Sequence, residues 1–229
     1  MSTLSVSKFY MNVLNTTNIH NKHYLERALF HRPPGQPLLS FSNHTSTVDD
    51  PLVLAAMTPL SGHPMRHILG AEEVVMGGTF AHQWFFTKAG RVLPVRRGAG
   101  PFQPGLDAAI HLMSTRAIWL HIFVEGKVHP HSQHLLTPIK HGIARVVLEC
   151  KPRPLLLPFV HTGMEHVKPY GSMLPRINKN VDVYVGEPID SGRLVNTLPP
   201  VSEPALYFGL TRHLQEILSS LYPPPINPT

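Results

Sequence analysis

His44 and Asp49 stand five residues apart in the segment Asn43-His44-Thr45-Ser46-Thr47-Val48-Asp49-Asp50-Pro51, and such a pair is suited to moving a proton. A neutral imidazole, with an ordinary pKa of about 6.5, can take the proton of a hydroxyl as its oxygen attacks an ester or thioester carbonyl. A carboxylate on the other ring nitrogen fixes the tautomer and stabilises the cation that forms. The attacking hydroxyl can belong to the acceptor, so no protein nucleophile is required. No Gly-x-Ser-x-Gly elbow of the serine hydrolases occurs in the chain. The spacing alone carries little information, because sixteen histidines make chance pairs common. One of Asp49 and Asp50 is expected to cap the helix that Pro51 opens.

Two residues this far apart on one regular helix would point away from each other. The pair therefore needs a junction where the chain folds back, and the pattern supplies one. Leu38 to Phe41 reads as a short buried strand following Arg32-Pro33-Pro34-Gly35, and Pro51 marks a first helical turn. Further strands are expected at Arg91 to Val95, Ala117 to Val124, Leu155 to Val160 and Val181 to Val185. Helical patterns occupy Gly105 to Thr115, Ile139 to Cys150 and Tyr207 to Leu221. Two more, Lys8 to Leu14 and Ile19 to Phe30, open the chain within a helical N-terminal segment over residues 1–35. This alternation predicts an α/β fold, a mixed and largely parallel sheet flanked by helices. A single domain is expected over 1–229, with an irregular tail from Tyr222 to Thr229. Sites in such sheets lie beyond the carboxyl ends of the strands. The loops after Phe41, Val95, Phe123 and Val160 are therefore the ones that matter.

Apolar residues make up 42% of the 229, which excludes compositional disorder and a polytopic membrane protein. The longest apolar runs, Pro51 to Leu60, Ala117 to Val124 and Pro154 to Val160, fall short of the roughly 20 residues that span a bilayer. A net charge of +6 and a pI near 9.6 favour phosphate-bearing partners. No Lys/Arg run interleaved with aromatics points to nucleic acid. The polar, Arg-free stretch before Glu26 is faintly like a mitochondrial presequence and reads as an ordinary polar segment. His129, His131 and His134 sit in a Pro/Ser/Gln stretch and read as a solvated loop rather than a zinc site, so no metal is expected. Cys150 reads as a packed thiol.

Four segments in order carry a resemblance. They are Asn43-His44 through Asp49-Asp50-Pro51, Gly90-Arg91-Val92-Leu93-Pro94-Val95-Arg96-Arg97-Gly98, His121-Ile122-Phe123-Val124-Glu125-Gly126-Lys127-Val128, and Leu155 through Met164. Together they resemble the blocks of the glycerolipid acyltransferases, in the form found in tafazzins. The resemblance implies that fold, and a coenzyme-A-independent transfer of an acyl group from a phospholipid to a lysophospholipid. It also implies cardiolipin remodelling, a peripheral or monotopic place on a mitochondrial membrane, contact with anionic lipid, and no cofactor. His44 would be the base and Asp49 its support. Arg96, with Arg97 competing, and Lys127 would hold the phosphodiester. Glu125 would bind the acceptor head or brace its loop, and Gly126 would allow close backbone approach. Val124 stands where the family usually has proline, which implies a less rigid loop.

The resemblance further suggests Pro154 to Met164 and its flanks as an interfacial insertion, against the alternative that Leu155 to Val160 is a buried strand. Two other functions share these features: an acyl-CoA-dependent lysophospholipid acyltransferase, and a non-catalytic membrane-binding module.

Overall fold

The apolar run that begins at Leu38 lies at the middle of an eight-stranded sheet. The computed structural model describes residues 3–58, 66–130, 138–199 and 202–223. The chain opens with α1 (Thr3–Phe9), a π-helical turn (Tyr10–Leu14), β1 (Thr16–His20), α2 (Lys22–Phe30) and β2 (Leu38–Ser42). A second π-helical turn (Asp50–Leu54) runs into α3 (Ala55–Met57), followed by β3 (Arg66–Ala71), α4 (Glu72–Val75) and α5 (Phe80–Trp84). A third π turn (Phe85–Ala89) leads to β4 (Val92–Val95), α6 (Pro104–Arg116), β5 (Trp119–Phe123) and α7 (Gly142–Glu149). The remainder is β6 (Leu155–Thr162), α8 (Met164–Val167), β7 (Asn180–Val185), β8 (Ile189–Asp190), α9 (Ser191–Thr197) and α10 (Glu203–Ser220).

Strand order is β1-β7-β6-β2-β5-β3-β4, with β8 also pairing with β6. Strands β2 to β6 run parallel, while β7 and β8 run antiparallel to β6 and β1 runs parallel to β7. The sheet is thus mixed and largely parallel, as the alternation of patterns predicts.

Alternate side chains serve two cores. Leu39 and Phe41 of β2 pack with Leu120, Ile122 and the buried faces of α6, α7 and α10. Leu38, Trp119, Leu157 and Phe159 pack on the other side with α2, α3 and the valines of β7. Ser40 and Ser42 share this second side, where the chain folds back after β2. Polar residues on a central strand need partners, and those partners form the floor of the site described below.

Ile19 departs from the sequence pattern. It belongs to β1, hydrogen-bonded alongside β7, and not to the helix expected over Ile19 to Phe30. The left-handed Asn21 (φ 56°) separates strand from helix. Leu155 to Val160 also resolves one alternative. It lies inside β6, between β2 and β7, with Leu156 to His161 fully buried, so this strand cannot be an interfacial insertion. Tyr222 and Pro223 are the described part of the expected tail, and the rest of it lies outside the described residues.

Candidate active site

His44 follows the last residue of β2 by two positions, and Asp49 directly precedes the π-helical turn. Between them the chain turns back, with the Asp49 N–H bonded to Ser46 O at 3.2 Å. The offset that a helix would have kept apart is closed by this loop. His44 Nδ1 lies 2.9 Å from Asp49 Oδ2. The same oxygen accepts the N–H groups of Thr45 at 2.8 Å and Ser46 at 2.9 Å. Three donors therefore meet a carboxylate that has no contact with solvent, which compensates its buried charge.

Asp49 occupies the cap position of the following helical turn, yet its side chain caps nothing there. Asp50 turns the other way and pairs with Arg66 Nη2 at 3.0 Å. Burial pushes the Asp50 carboxyl up and the Arg66 guanidinium opposes that rise. The expected helix cap is thus replaced by two tethers, one to the loop and one to β3.

The ring of His44 stacks on Phe123 with centroids 4.0 Å apart. Its backbone is held from both sides. The N–H donates to Glu125 Oε2 at 2.9 Å, and the carbonyl accepts from the His129 N–H at 2.7 Å. Glu125 is buried and braces the His44 backbone, and it also lines the cleft described below, so both roles expected for it stay open. Asn43 donates to His161 O (2.8 Å) and accepts from His161 N–H (3.0 Å), which extends the β2–β6 ladder past its regular end.

A buried polar floor lies beneath. Ser40 Oγ accepts from Trp119 Nε1 at 2.7 Å and lies 2.9 Å from His121 Nδ1, while Ser42 Oγ lies 3.4 Å from His121 Nε2. Burial drives the His121 imidazole well below its ordinary value, and Arg66, His161 and His44 push it the same way, so it stays neutral. The sequence patterns did not single out Ser40, Ser42 or Asn43. The available signal was polar residues in otherwise apolar strands, and register pairs Ser40 with His121 across β2 and β5.

His44 opens onto a cleft of about 580 Å³ walled by β3, β4, the loop after β5 and the start of α7. Arg96, Arg97, Lys127 and Lys140 line it. Arg96 is exposed and paired with Glu72 at 2.9 Å. Arg97 reaches further across, pairing with Glu73 at 2.6 Å and donating from Nε to Gly126 O at 3.0 Å. The structure thus brings the competing arginine, rather than Arg96, onto the Glu125–Lys127 loop. Gly126 adopts φ +71°, the left-handed turn that glycine favours, and an added Cβ would touch only the Lys140 side chain at 3.4 Å. The loop is better tethered than a valine in place of proline implies. Val124 gives its N–H to Ser42 O at 3.1 Å, a bond proline cannot make, and its carbonyl accepts from Lys140 N–H at 2.9 Å. His131 and His134 lie outside the described residues.

A model of the acyltransferase family matches residues 16–162, which carry the dyad, the basic rim and His161. An N-acylphosphatidylethanolamine synthase of Arabidopsis thaliana is 32% identical over 199 residues, covering 83% of this chain and 69% of that protein. A tafazzin of Drosophila melanogaster is 31% identical over 225 residues, covering 94% of this chain; the chain spans 57% of that protein's length. Among solved structures, the 1-acyl-sn-glycerophosphate acyltransferase PlsC of Thermotoga maritima superposes with a TM-score of 0.64. That match covers 95% of this chain and 77% of the other at 14% identity, a likeness of fold. On the matched model and the shared length with these relatives, the chain belongs to the acyltransferase family.

Proposed function

We propose that this acyltransferase moves an acyl group from a phospholipid to a lysophospholipid without coenzyme A. The observation that carries the reading is the 2.9 Å contact between His44 Nδ1 and Asp49 Oδ2 at the wall of a basic-rimmed cleft. With Nδ1 committed to Asp49, Nε2 is the ring nitrogen left for the acceptor hydroxyl. It takes the proton as the hydroxyl oxygen attacks the donor ester, and returns it to the departing lysolipid oxygen. One ester replaces another, so a single base serves both directions. Arg97, Arg96, Lys127 and Lys140 supply positive charge for the phosphodiesters of the two lipids. Cardiolipin as a substrate and a mitochondrial membrane as the location rest on the resemblance to tafazzins.

The test uses purified protein, labelled phosphatidylcholine and a lysophospholipid, with and without acyl-CoA. Exchange is expected without acyl-CoA and unstimulated by it. Acylation that requires acyl-CoA and releases free coenzyme A in step would establish the acyl-CoA-dependent alternative. A second acceptor belongs in the same assay, because the Arabidopsis relative is named for a product acylated on the nitrogen of phosphatidylethanolamine. Labelled amide formed from phosphatidylethanolamine in preference to lysolipid ester would move the acceptor from hydroxyl to amine with the same base.

Contact with a lipid surface is the second part of the reading. Among the described residues no helix is long and apolar enough to cross a membrane. Phe80 (84% exposed), Trp84 and Phe85 project from α5 and the π turn after it. Met173 (93% exposed), Leu174 and Ile177 project from the segment after α8. Both groups follow the carboxyl end of a strand, the end that bears His44, and Lys88 and Arg176 are exposed beside them. Apolar side chains next to basic ones suit the boundary between headgroups and acyl chains. Phe80→Ser with Trp84→Ser is expected to lower pelleting with anionic liposomes severalfold while the thermal melt is unchanged. Undiminished pelleting would remove this surface from the reading.

A further inference from the structure

We propose that His161 is a positioning residue for the His44–Asp49 pair, donating its Nε2–H to the Asp49 carboxylate and holding that carboxylate in line with His44. The inference rests on reading the pair as the acid–base machinery of the transfer.

His161 is fully buried on β6, and Asn43 fixes its backbone by bonding both its N–H and its carbonyl. The ring has no freedom to leave with a moving loop. Its Nε2 lies 3.5 Å from Asp49 Oδ2. Neither ring nitrogen has a hydrogen-bond partner among the described residues, and neither does Asp49 Oδ1. The His161 ring and Asp49 Oδ1 are buried and costly to leave unpaired, while the oxygen 3.5 Å from Nε2 is Oδ2, which already accepts three bonds. A movement of about half an ångström brings Nε2 to ordinary hydrogen-bond length from the carboxylate.

The groups facing His161 set its charge. Asp49 and His44 face it from the loop after β2, Glu165 from α8 and His121 from β5. Burial lowers the proton affinity of His161 more than Asp49 and Glu165 raise it. The ring is therefore neutral and has one N–H to give; the Asn43 backbone and the Asp49 carboxylate both lie beside it, and the N–H is assigned to Asp49.

This assigns Asp49 a donor on each side. His44 Nδ1 and two backbone N–H groups hold it from the loop, and His161 holds it from the sheet. The His161 bond also draws part of the carboxylate charge away from His44. Without it, more of that charge acts on His44 and the imidazolium is held more tightly, which is expected to move the acid limb of the pH–rate profile upward.

The test is exchange between labelled phosphatidylcholine and lysophosphatidylcholine by the intact chain, with kcat, KM and the pH profile measured for two variants. His161→Leu fills the space but cannot donate. It is expected to lower kcat about 10–100-fold, the value of a hydrogen bond to a charged group, with KM unchanged and the acid limb displaced upward. His161→Gln keeps an N–H close to the position of Nε2 and is expected to recover most of the rate and the original limb. A Leu variant with the parent kcat and profile overturns the proposal. So do equal losses in both variants with the limb unmoved, which describe a structural role only. A measurement on the parent protein guards against a variant that does not fold. The ¹⁵N resonances of His161, assigned by their loss in His161→Gln, are expected to show a neutral ring protonated at Nε2, and a proton on Nδ1 overturns the proposal. Activity surviving in His44→Ala would instead defeat the underlying reading of the dyad.

Discussion

His44→Ala is expected to abolish acyl transfer, a fall of about 10²–10⁴-fold or more, because it removes the group proposed to take and return the proton. The fold should survive. The ring packs on Phe123 at the edge of the cleft, and the backbone bonds of residue 44 to Glu125 and His129 do not involve the side chain. Asp49→Asn is expected to lose most of the activity. Oδ2 accepts three bonds at once, and an amide oxygen in its place carries no full charge and leaves a buried NH2 where the unpartnered Oδ1 stood. The imidazolium that forms on His44 then has no carboxylate charge beside it. Asp50→Asn is expected to leave most of the rate intact, because that side chain meets Arg66 and not His44. Rates for all three, with thermal melts as a folding control, decide the matter. Equal losses at positions 49 and 50 would show that orientation of the whole loop matters more than the carboxylate on the imidazole.

The largest effect on stability is expected at Gly163. It follows β6 directly at φ +91°, and a Cβ there would lie 2.1 Å from the carbonyl oxygen of Asn180, at the start of β7. No side-chain rotation can relieve a clash with backbone; the two strands must separate. Gly163→Ala is expected to cost about 3 kcal/mol or more, a fall in Tm of roughly 6–12 °C for a chain of this size. Gly98→Ala is the matched control. Gly98 has nearly the same φ, +79°, but nothing lies within 4 Å of the added atom. Its cost is then the left-handed backbone alone, about 1 kcal/mol. Calorimetry on the two variants separates clash from conformation. Equal Tm shifts would mean that the contact with Asn180 yields easily.

Much of the framework could be read from residue pattern because the central strands are buried on both faces. Runs such as Leu38 to Phe41, apolar but for Ser40, and Leu155 to Val160 are the direct mark of that burial. The His44–Asp49 contact was legible for another reason. Its offset makes sense only across a fold-back, and Pro51 announces where the helix begins. Other features had no local signature. β3 has one fully buried apolar residue, Ile68, and β1 reads Thr-Thr-Asn-Ile-His, a polar edge whose period is easily taken for helix. The partners of Arg96 and Arg97 are Glu72 and Glu73, each twenty-four residues away in sequence. Which arginine reaches the Glu125 loop depends on how β3 and β4 align, and composition does not encode that. His161 stands within the resembling segment Leu155 through Met164. Its closeness to Asp49 follows from the β2–β6 pairing, and from Asn43 continuing that pairing beyond the last regular residue.

The short polar strand at the start of the chain has a consequence for how the protein behaves when damaged. β7 buries Val181, Val183 and Val185 and offers its outer row of backbone groups to β1 alone. β1 in turn presents Thr, Asn and His outward, with Asn18 and His20 gathered around Asp182. Such a border is a poor template for a neighbouring molecule, whereas a bare valine-rich strand is a good one. Any cut that carried away the residues up to His20 would therefore leave a sheet ready to accept a strand from another chain, and loss of solubility would precede loss of the loop that bears His44 and Asp49.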